Sequence, residues 1–199
     1  MNFVYLKGII KNIRYSHTIN DTTFNRADLI VRREDGREDL LFIKFKSFSG
    51  MYELKENKEI ELIGNLRSYS SQVMGKNKVE IYVFSYLDII EDTYESCNKV
   101  KIDGRICKKD SIRTTSSGKH YIHFTVANNI LTDDKQKINS YIPCVAWGKT
   151  AKEIESNYNV GDTIYIEGQL QSREYKKKTS NDLEIRMAHE LTTCEIKKI

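Results

Sequence analysis

Apolar and polar residues alternate along much of the chain with a period of two. Val100, Ile102, Gly104 and Ile106 interleave with Lys99, Lys101, Asp103 and Arg105, the pattern of a strand with one face buried and one wet. Residues 121–128 repeat it, with Ile122, Phe124 and Val126 on one face and Tyr121, His123 and Thr125 on the other. A turn-like stretch at 132–140 leads to a third strand at 141–147. Residues 149–158 break the alternation: Ala151, Ile154 and Tyr158 fall at helical spacing, which predicts a short amphipathic helix. Gly161-Asp162 turns the chain into a strand at 163–172, a lysine-rich hairpin loop comes next, and a fifth strand covers 183–188. The first half gives the same order, with strands predicted at 3–14, 25–33, 38–46, 59–69 and 78–88. Its counterpart of the helix, residues 47–57, has only Met51 and Leu54 at apolar helical spacing and is interrupted by Gly50.

The halves share motifs as well as an order. Leu62-Ile63-Gly64-Asn65-Leu66-Arg67-Ser68 returns as Ile166-Glu167-Gly168-Gln169-Leu170-Gln171-Ser172, 104 residues later, and Glu80-Ile81 returns as Glu184-Ile185 at the same offset. Leu6-Lys7-Gly8-Ile9-Ile10 returns as Ile102-Asp103-Gly104-Arg105-Ile106 at an offset of 96. Motifs kept in order predict two copies of one domain, 1–92 and 97–199, divided in the polar stretch at 91–96. Five short strands with a helix between the third and fourth is the layout of an OB-fold, a small Greek-key barrel. The expected class is therefore all-β with short helices, as two tandem OB-folds. Gly8, Gly64, Gly104 and Gly168 fall inside strands, where barrels use glycine for bending or close strand approach.

Composition narrows the function. Apolar residues at 39% and charged residues at 30% of 199 fit a globular protein. No apolar run approaches the ~20 residues that cross a bilayer, and the start reads directly into a strand, so the expectation is an intracellular protein. Cys97, Cys107, Cys144 and Cys194 show no zinc spacing and read as free thiols, with Cys144 on a buried face. His120 and His123 point to opposite faces of one strand, which disfavours a metal site. No phosphate-loop, metal or Gly-x-Ser-x-Gly pattern is visible, so no enzyme and no cofactor is expected. The net charge of +4 is uneven: residues 1–95 hold 14 Lys and Arg against 15 Asp and Glu, residues 96–199 hold 18 against 13. That places a polyanion partner on the second copy.

Alternation in 141–147 sends Ile142, Cys144 and Ala146 inward and Tyr141, Pro143, Val145 and Trp147 outward. An outer face with a Tyr and the only Trp, beside Tyr121 and His123 on the next strand, offers π surfaces on which bases stack. The other place open to Trp147 is beneath the following helix. Lys108, Lys109, Arg113 and Lys119 lie before the second strand, and Arg173, Lys176, Lys177 and Lys178 lie about the last hairpin. These cations fit phosphate contacts, and OB-folds bind on the strand 2–3 face between such loops. By the same alternation the first copy presents Leu40, Phe42, Lys44 and Lys46, with Arg26, Asp28 and Ile30 beside them and Tyr69 near its hairpin. That mixed face either touches nucleic acid or forms a dimer interface.

The second copy resembles the bacterial single-stranded DNA-binding (SSB) family. The resemblance rests on Val100-x-Ile102-x-Gly104-Arg105-Ile106, Phe124-Thr125-Val126-Ala127-Asn128, Tyr141-Ile142-Pro143-Cys144-Val145-Ala146-Trp147-Gly148-Lys149, and the run from Val160-Gly161-Asp162 through Gly168-Gln169-Leu170 to Tyr175. In the first copy only the Gly8 and Gly64 motifs and the strand order match. The resemblance implies base stacking on Tyr141, Trp147 and Tyr175. The family's further aromatic after strand two has no counterpart here, where the chain reads Ile130-Leu131-Thr132.

Together these features predict binding to single-stranded DNA with little sequence preference, protecting it in replication, repair, recombination or transfer. RNA stays open, because stacking tolerates either sugar. The alternative is an OB-fold replication-restart or assembly factor acting through protein contacts. The family implies a homodimer presenting four barrels, in the bacterial cytoplasm with the nucleoid and away from membrane. Family members usually end in a glycine-rich stretch with an acidic, enzyme-recruiting tip. This sequence closes on Glu195-Ile196-Lys197-Lys198-Ile199, so that recruitment is not expected to carry over.

Overall fold

The computed structural model describes residues 1–47, 54–73, 76–85, 97–131, 137–178 and 183–199, with backbone alone at 72–73, 76–78, 176–178 and 183–184. Among the described residues, eleven strands and one helix follow in chain order. The first half holds β1 (Asn2–Ile19), β2 (Thr22–Arg32), β3 (Glu38–Lys46), β4 (Glu59–Val73) and β5 (Lys76–Ser85). The second holds β6 (Asn98–Lys109), β7 (Arg113–Thr114), β8 (His120–Leu131), β9 (Lys137–Trp147), α1 (Gly148–Asn157), β10 (Thr163–Lys178) and β11 (Leu183–Lys198).

Each half closes on itself in the same way. β1 pairs with β2, β2 with β3 and β4 with both β1 and β5, all antiparallel, and a parallel contact at Ile43↔Val83 seals β3 to β5. In the second half β6, β8, β9, β11 and β10 close likewise, sealed by Cys144↔Leu191. This is the OB-fold strand order, present twice. Alternation fills each barrel: Leu29, Leu41, Ile43, Leu62, Leu66 and Val83 in the first, Ile102, Ile122, Phe124, Ile142, Cys144 and Ile166 in the second, all at most 2% exposed. Each such aliphatic side chain stabilises by about 1.5–3 kcal/mol through burial. A Cβ on Gly64 or Gly168 would collide with the carbonyl oxygen of Phe84 or Thr192 on the neighbouring strand. The repeated glycine thus marks where the strand before each final hairpin is crossed most closely.

The two barrels join edge to edge through β1 and β6, in the register Asn2↔Ile102, Val4↔Val100, Leu6↔Asn98. With the 96-residue offset of the Gly8 and Gly104 motifs, this register is its own mirror, and a pseudo-twofold axis passes through the Val4–Val100 pair. Side chains obey it. Asn2 donates to the Leu66 carbonyl (2.8 Å) and accepts from the Leu66 N–H (2.7 Å), while Asn98 does the same with Leu170 (2.7 and 2.9 Å).

Several elements differ from expectation. β1 and β10 run well past their predicted ends into hairpin arms whose faces are largely wet, with no period to betray them. β2 begins three residues before its predicted start, and β11 continues past 188 into barrel strand that buries Leu191, Thr193 and Ile196. Lys176–Lys178 therefore continue β10 rather than forming a loop. β9 begins at Lys137, inside the predicted turn, and β7 was not expected. The second-copy helix lies within one residue of its predicted span. In the first copy, residues 48–53 of the helix candidate, 86–88 of the last predicted strand and the boundary at 91–96 lie outside the described residues, and 54–58 are irregular with a turn at 56–57. Among the described residues no helix is long and apolar enough to cross a membrane.

Candidate nucleic-acid interface

The outer face of β8 and β9 carries an aromatic platform. Tyr121 and Trp147 are direct cross-strand partners, with ring centroids 5.2 Å apart and planes at 34°. His123 meets Tyr121 edge-on at 5.4 Å, and the Lys119 ammonium lies 5.1 Å from the Trp147 ring. Local geometry explains why Trp147 stays outside. It is the N-cap of α1 with extended backbone (φ −124°, ψ 154°), and the helix buries Ala151 and Ile154 in its place. Lys119 is set by a tight turn in which the Thr115 N–H donates to the Lys119 carbonyl (2.9 Å) and the Lys119 N–H to the Thr115 hydroxyl (3.0 Å).

Beside the platform, Glu190 of β11 sits between His123 and Arg173. One of its oxygens is 3.7 Å from His123 Nε2 and the other 3.5 Å from Arg173 Nε. Burial alone would raise its pKa, but the bond to His123 and the charge of Arg173 outweigh that and hold it below the ordinary carboxylate value. Lys119, Trp147, Arg173 and Glu190 line one cleft of about 550 Å³, which Arg33 and Arg37 of the first barrel complete.

The remaining second-copy candidates spread out. Arg113 faces Tyr121 across the β7–β8 pair, and Arg113 and Lys108 are exposed and share Asp110 (3.8 and 3.4 Å). Tyr141 is 47% exposed on β9 six residues before Trp147, ~20 Å along the strand. Tyr175 is exposed on the β10 arm opposite Arg186. The side chains of Lys176, Lys177 and Lys178 lie outside the described residues. Lys109 must be corrected. Its ammonium donates to the carbonyls of Glu155 (3.1 Å) and Tyr158 (2.7 Å) and is 3.4 Å from that of Ile154, so it satisfies the end of α1 instead of facing the groove. A β-bulge between Ile106 and Lys108 resets which residues face out.

The first barrel departs further. Phe42 lies 4.5 Å from the His189 ring of the second barrel, and the Leu40 carbonyl accepts from His189 Nε2 (2.8 Å). The expected free face at Leu40 and Phe42 is therefore covered by the chain's own second barrel, not held open for DNA or a second copy. Lys44 is tucked over the rings of Tyr82 (4.2 Å) and Tyr69 (5.9 Å), and burial, with Arg26 nearby, lowers its pKa. Lys46 stays exposed at the end of β3, opposite Phe24. Sequence reasoning missed Tyr82, Glu190, Arg33 and Arg37. Tyr82 follows from alternation in β5. The other three depend on contacts between barrels or at the base of an arm that no local pattern announces.

Two OB-folds with a cation-flanked aromatic platform on the strand 2–3 face form the class that nucleic-acid-binding barrels share. The family model described as the single-strand binding protein family matches residues 97–197, half of the chain. The chain belongs to that family. It is 35% identical over 81 residues to single-stranded DNA-binding protein 1 of Streptococcus pyogenes, covering 40% of this chain and 62% of that protein. It is 31% identical over 83 residues to the single-stranded DNA-binding protein of Fusobacterium nucleatum, covering 40% of this chain and 54% of that one. The chain thus spans a little over half the length of these curated relatives. The fold also matches the crystal structure of the wild-type single-stranded DNA binding protein from Thermus aquaticus, with a TM-score of 0.72 and 15% identity over 100% of this chain and 93% of that one.

Proposed function

We propose that this chain binds single-stranded DNA with little sequence preference, in two units, 1–92 and 97–199. The second unit leads, through base stacking on Tyr121 and Trp147 and phosphate contacts from Lys119, Arg173 and Arg113. The observation that carries the reading is the Tyr121–Trp147 pair: two large rings set side by side on an outer face, with a lysine over one of them. Base–aromatic stacking contributes about 1–3 kcal/mol per base and needs only a π-face, so any sequence is accepted. The family and the names of the relatives support DNA as the ligand. The work is stacking and neutralisation, with no catalysis. A homodimer of four barrels in the bacterial cytoplasm, serving replication, repair or recombination, is the setting that fits the family.

Trp147 is the only tryptophan and reports directly. Titration with oligo-dT should quench its fluorescence to saturation, weaken as salt rises, and lose affinity in Tyr121→Ala; duplex of equal length should do neither. Absence of binding to oligo-dT by both fluorescence and gel mobility would overturn the reading.

A further inference from the structure

The cleft beside Trp147 is built by both barrels. Four of its lining side chains, Arg33, Arg37, Lys119 and Arg173, are cationic, and one, Glu190, is acidic. The two arginines from the first barrel have different fates. Arg33 is mostly covered, with 16% of its side chain exposed; it donates from Nε to Asp39 (2.6 Å) and from Nη2 to the Ser172 carbonyl (3.2 Å), and so ties the β2–β3 turn to β10. Arg37, four residues on, is 71% exposed and paired only at the surface, with Asp35, itself 50% exposed. The turn between them is closed by the Arg33 N–H to Arg37 carbonyl bond (2.8 Å) and the Gly36 N–H to Arg33 carbonyl bond (3.0 Å). Arg37 is thus held at the rim of the cleft that contains Trp147 by an anchored hairpin, while its guanidinium remains available. An exposed pair with Asp35 contributes little, and a phosphate offers the same two acceptor oxygens.

We propose that Arg37 of the first barrel grips the backbone phosphate of a single strand whose bases stack on the second barrel's Trp147 and Tyr121, making the inter-barrel cleft one composite site. This rests on the reading of the second barrel as a single-strand binder. It adds that the first barrel contributes to the second barrel's own site in cis, so the strand is held between barrels rather than by one.

The test compares full-length wild type, Arg37→Glu and Lys152→Glu in oligo-dT titrations followed by Trp147 fluorescence at several salt concentrations. Lys152 is exposed on α1 and lies away from the cleft, so it controls for net charge. Arg37→Glu should bind at least about fourfold more weakly at physiological salt and lower the log–log salt slope by about 0.7, the loss of one phosphate contact on a single strand. Lys152→Glu should keep the wild-type slope. If Arg37→Glu matches Lys152→Glu while wild type binds normally, the composite site is wrong and the single-strand reading stands. If wild type does not bind oligo-dT at all, both fall.

Discussion

Ser68 and Ser172, the last residues of the repeated motif, reach across the barrel contact in opposite directions. The Ser68 hydroxyl accepts the Tyr141 N–H (2.8 Å) and the Ser172 hydroxyl accepts the Leu40 N–H (2.9 Å), each on the third strand of the other barrel. Their own N–H groups donate to Ser140 Oγ (3.3 Å) and Asp39 Oδ1 (2.6 Å). The bridges are symmetric in geometry and unequal in chemistry. One ends on a neutral hydroxyl, the other on a fully buried carboxylate that also holds Arg33.

That inequality predicts unequal losses. Asp39→Ala leaves the mostly covered Arg33 guanidinium without its counter-ion and the Ser172 N–H without its acceptor, and should destabilise by about 3 kcal/mol. Ser140→Ala, at the pseudo-equivalent position, removes one long neutral hydrogen bond and should cost about 1 kcal/mol or less. Urea denaturation of both variants decides it. Equal losses would mean that the charged bridge is not what holds the barrels together.

The repeated glycines make a second prediction. Gly168→Ala would drive a Cβ into the Thr192 carbonyl oxygen, and Gly64→Ala would do the same to Phe84. Backbone atoms cannot swing aside as a side chain does, so each variant should lose about 1–3 kcal/mol. Melting curves that match wild type would show that the strands have slack at this crossing.

How much of the fold and site could be read from the chain depends on where one face is buried. β3 and β8 alternate cleanly because the barrel interior takes every second residue, and alternation marks Tyr121, His123 and Trp147 as outward. β9 breaks the rule at Val145, expected outward but buried together with Cys144 and Ala146. In β1 the pattern fades after Ile10, where register shifts begin at Lys11/Arg14 and both faces of the arm meet water. Phe42 misled for a different reason: it is outward from its own barrel, yet the neighbouring barrel covers it. Outward is a property of one strand, whereas exposed is a property of the assembled chain. Glu190 and Arg37 escape a local reading on the same ground, since one lies beyond the predicted end of its strand and the other sits in a turn whose position at the cleft depends on the second barrel.

Two lysines of similar appearance in sequence should separate in the laboratory. Lys109→Ala strips the end of α1 of a charged donor and should destabilise by about 1.5–3 kcal/mol. Lys119→Ala, over the half-buried Trp147 ring, should leave stability within about 0.5 kcal/mol and weaken oligo-dT binding instead. Thermal denaturation and DNA titration on the same two proteins give the comparison. A Lys109→Ala variant that melts normally and binds poorly would return Lys109 to the groove.

On the proposed binding face, Glu190 places a carboxylate beside Arg173 and His123 and would compete with a phosphate for both. Glu190→Gln keeps the shape and removes the competitor. Oligo-dT should then bind about three- to fourfold more tightly at physiological salt, with a steeper salt slope, as one more cation becomes available to phosphate. Stability should respond in acid. The folded pKa of Glu190 lies below its ordinary 4.5, so its ionised form stabilises the fold above that value and the contribution is lost as pH falls through the folded pKa. The variant should therefore show a flatter stability profile below pH 4.5 than wild type. Weaker rather than tighter binding by Glu190→Gln would mean that the carboxylate positions Arg173 for the phosphate instead of competing with it.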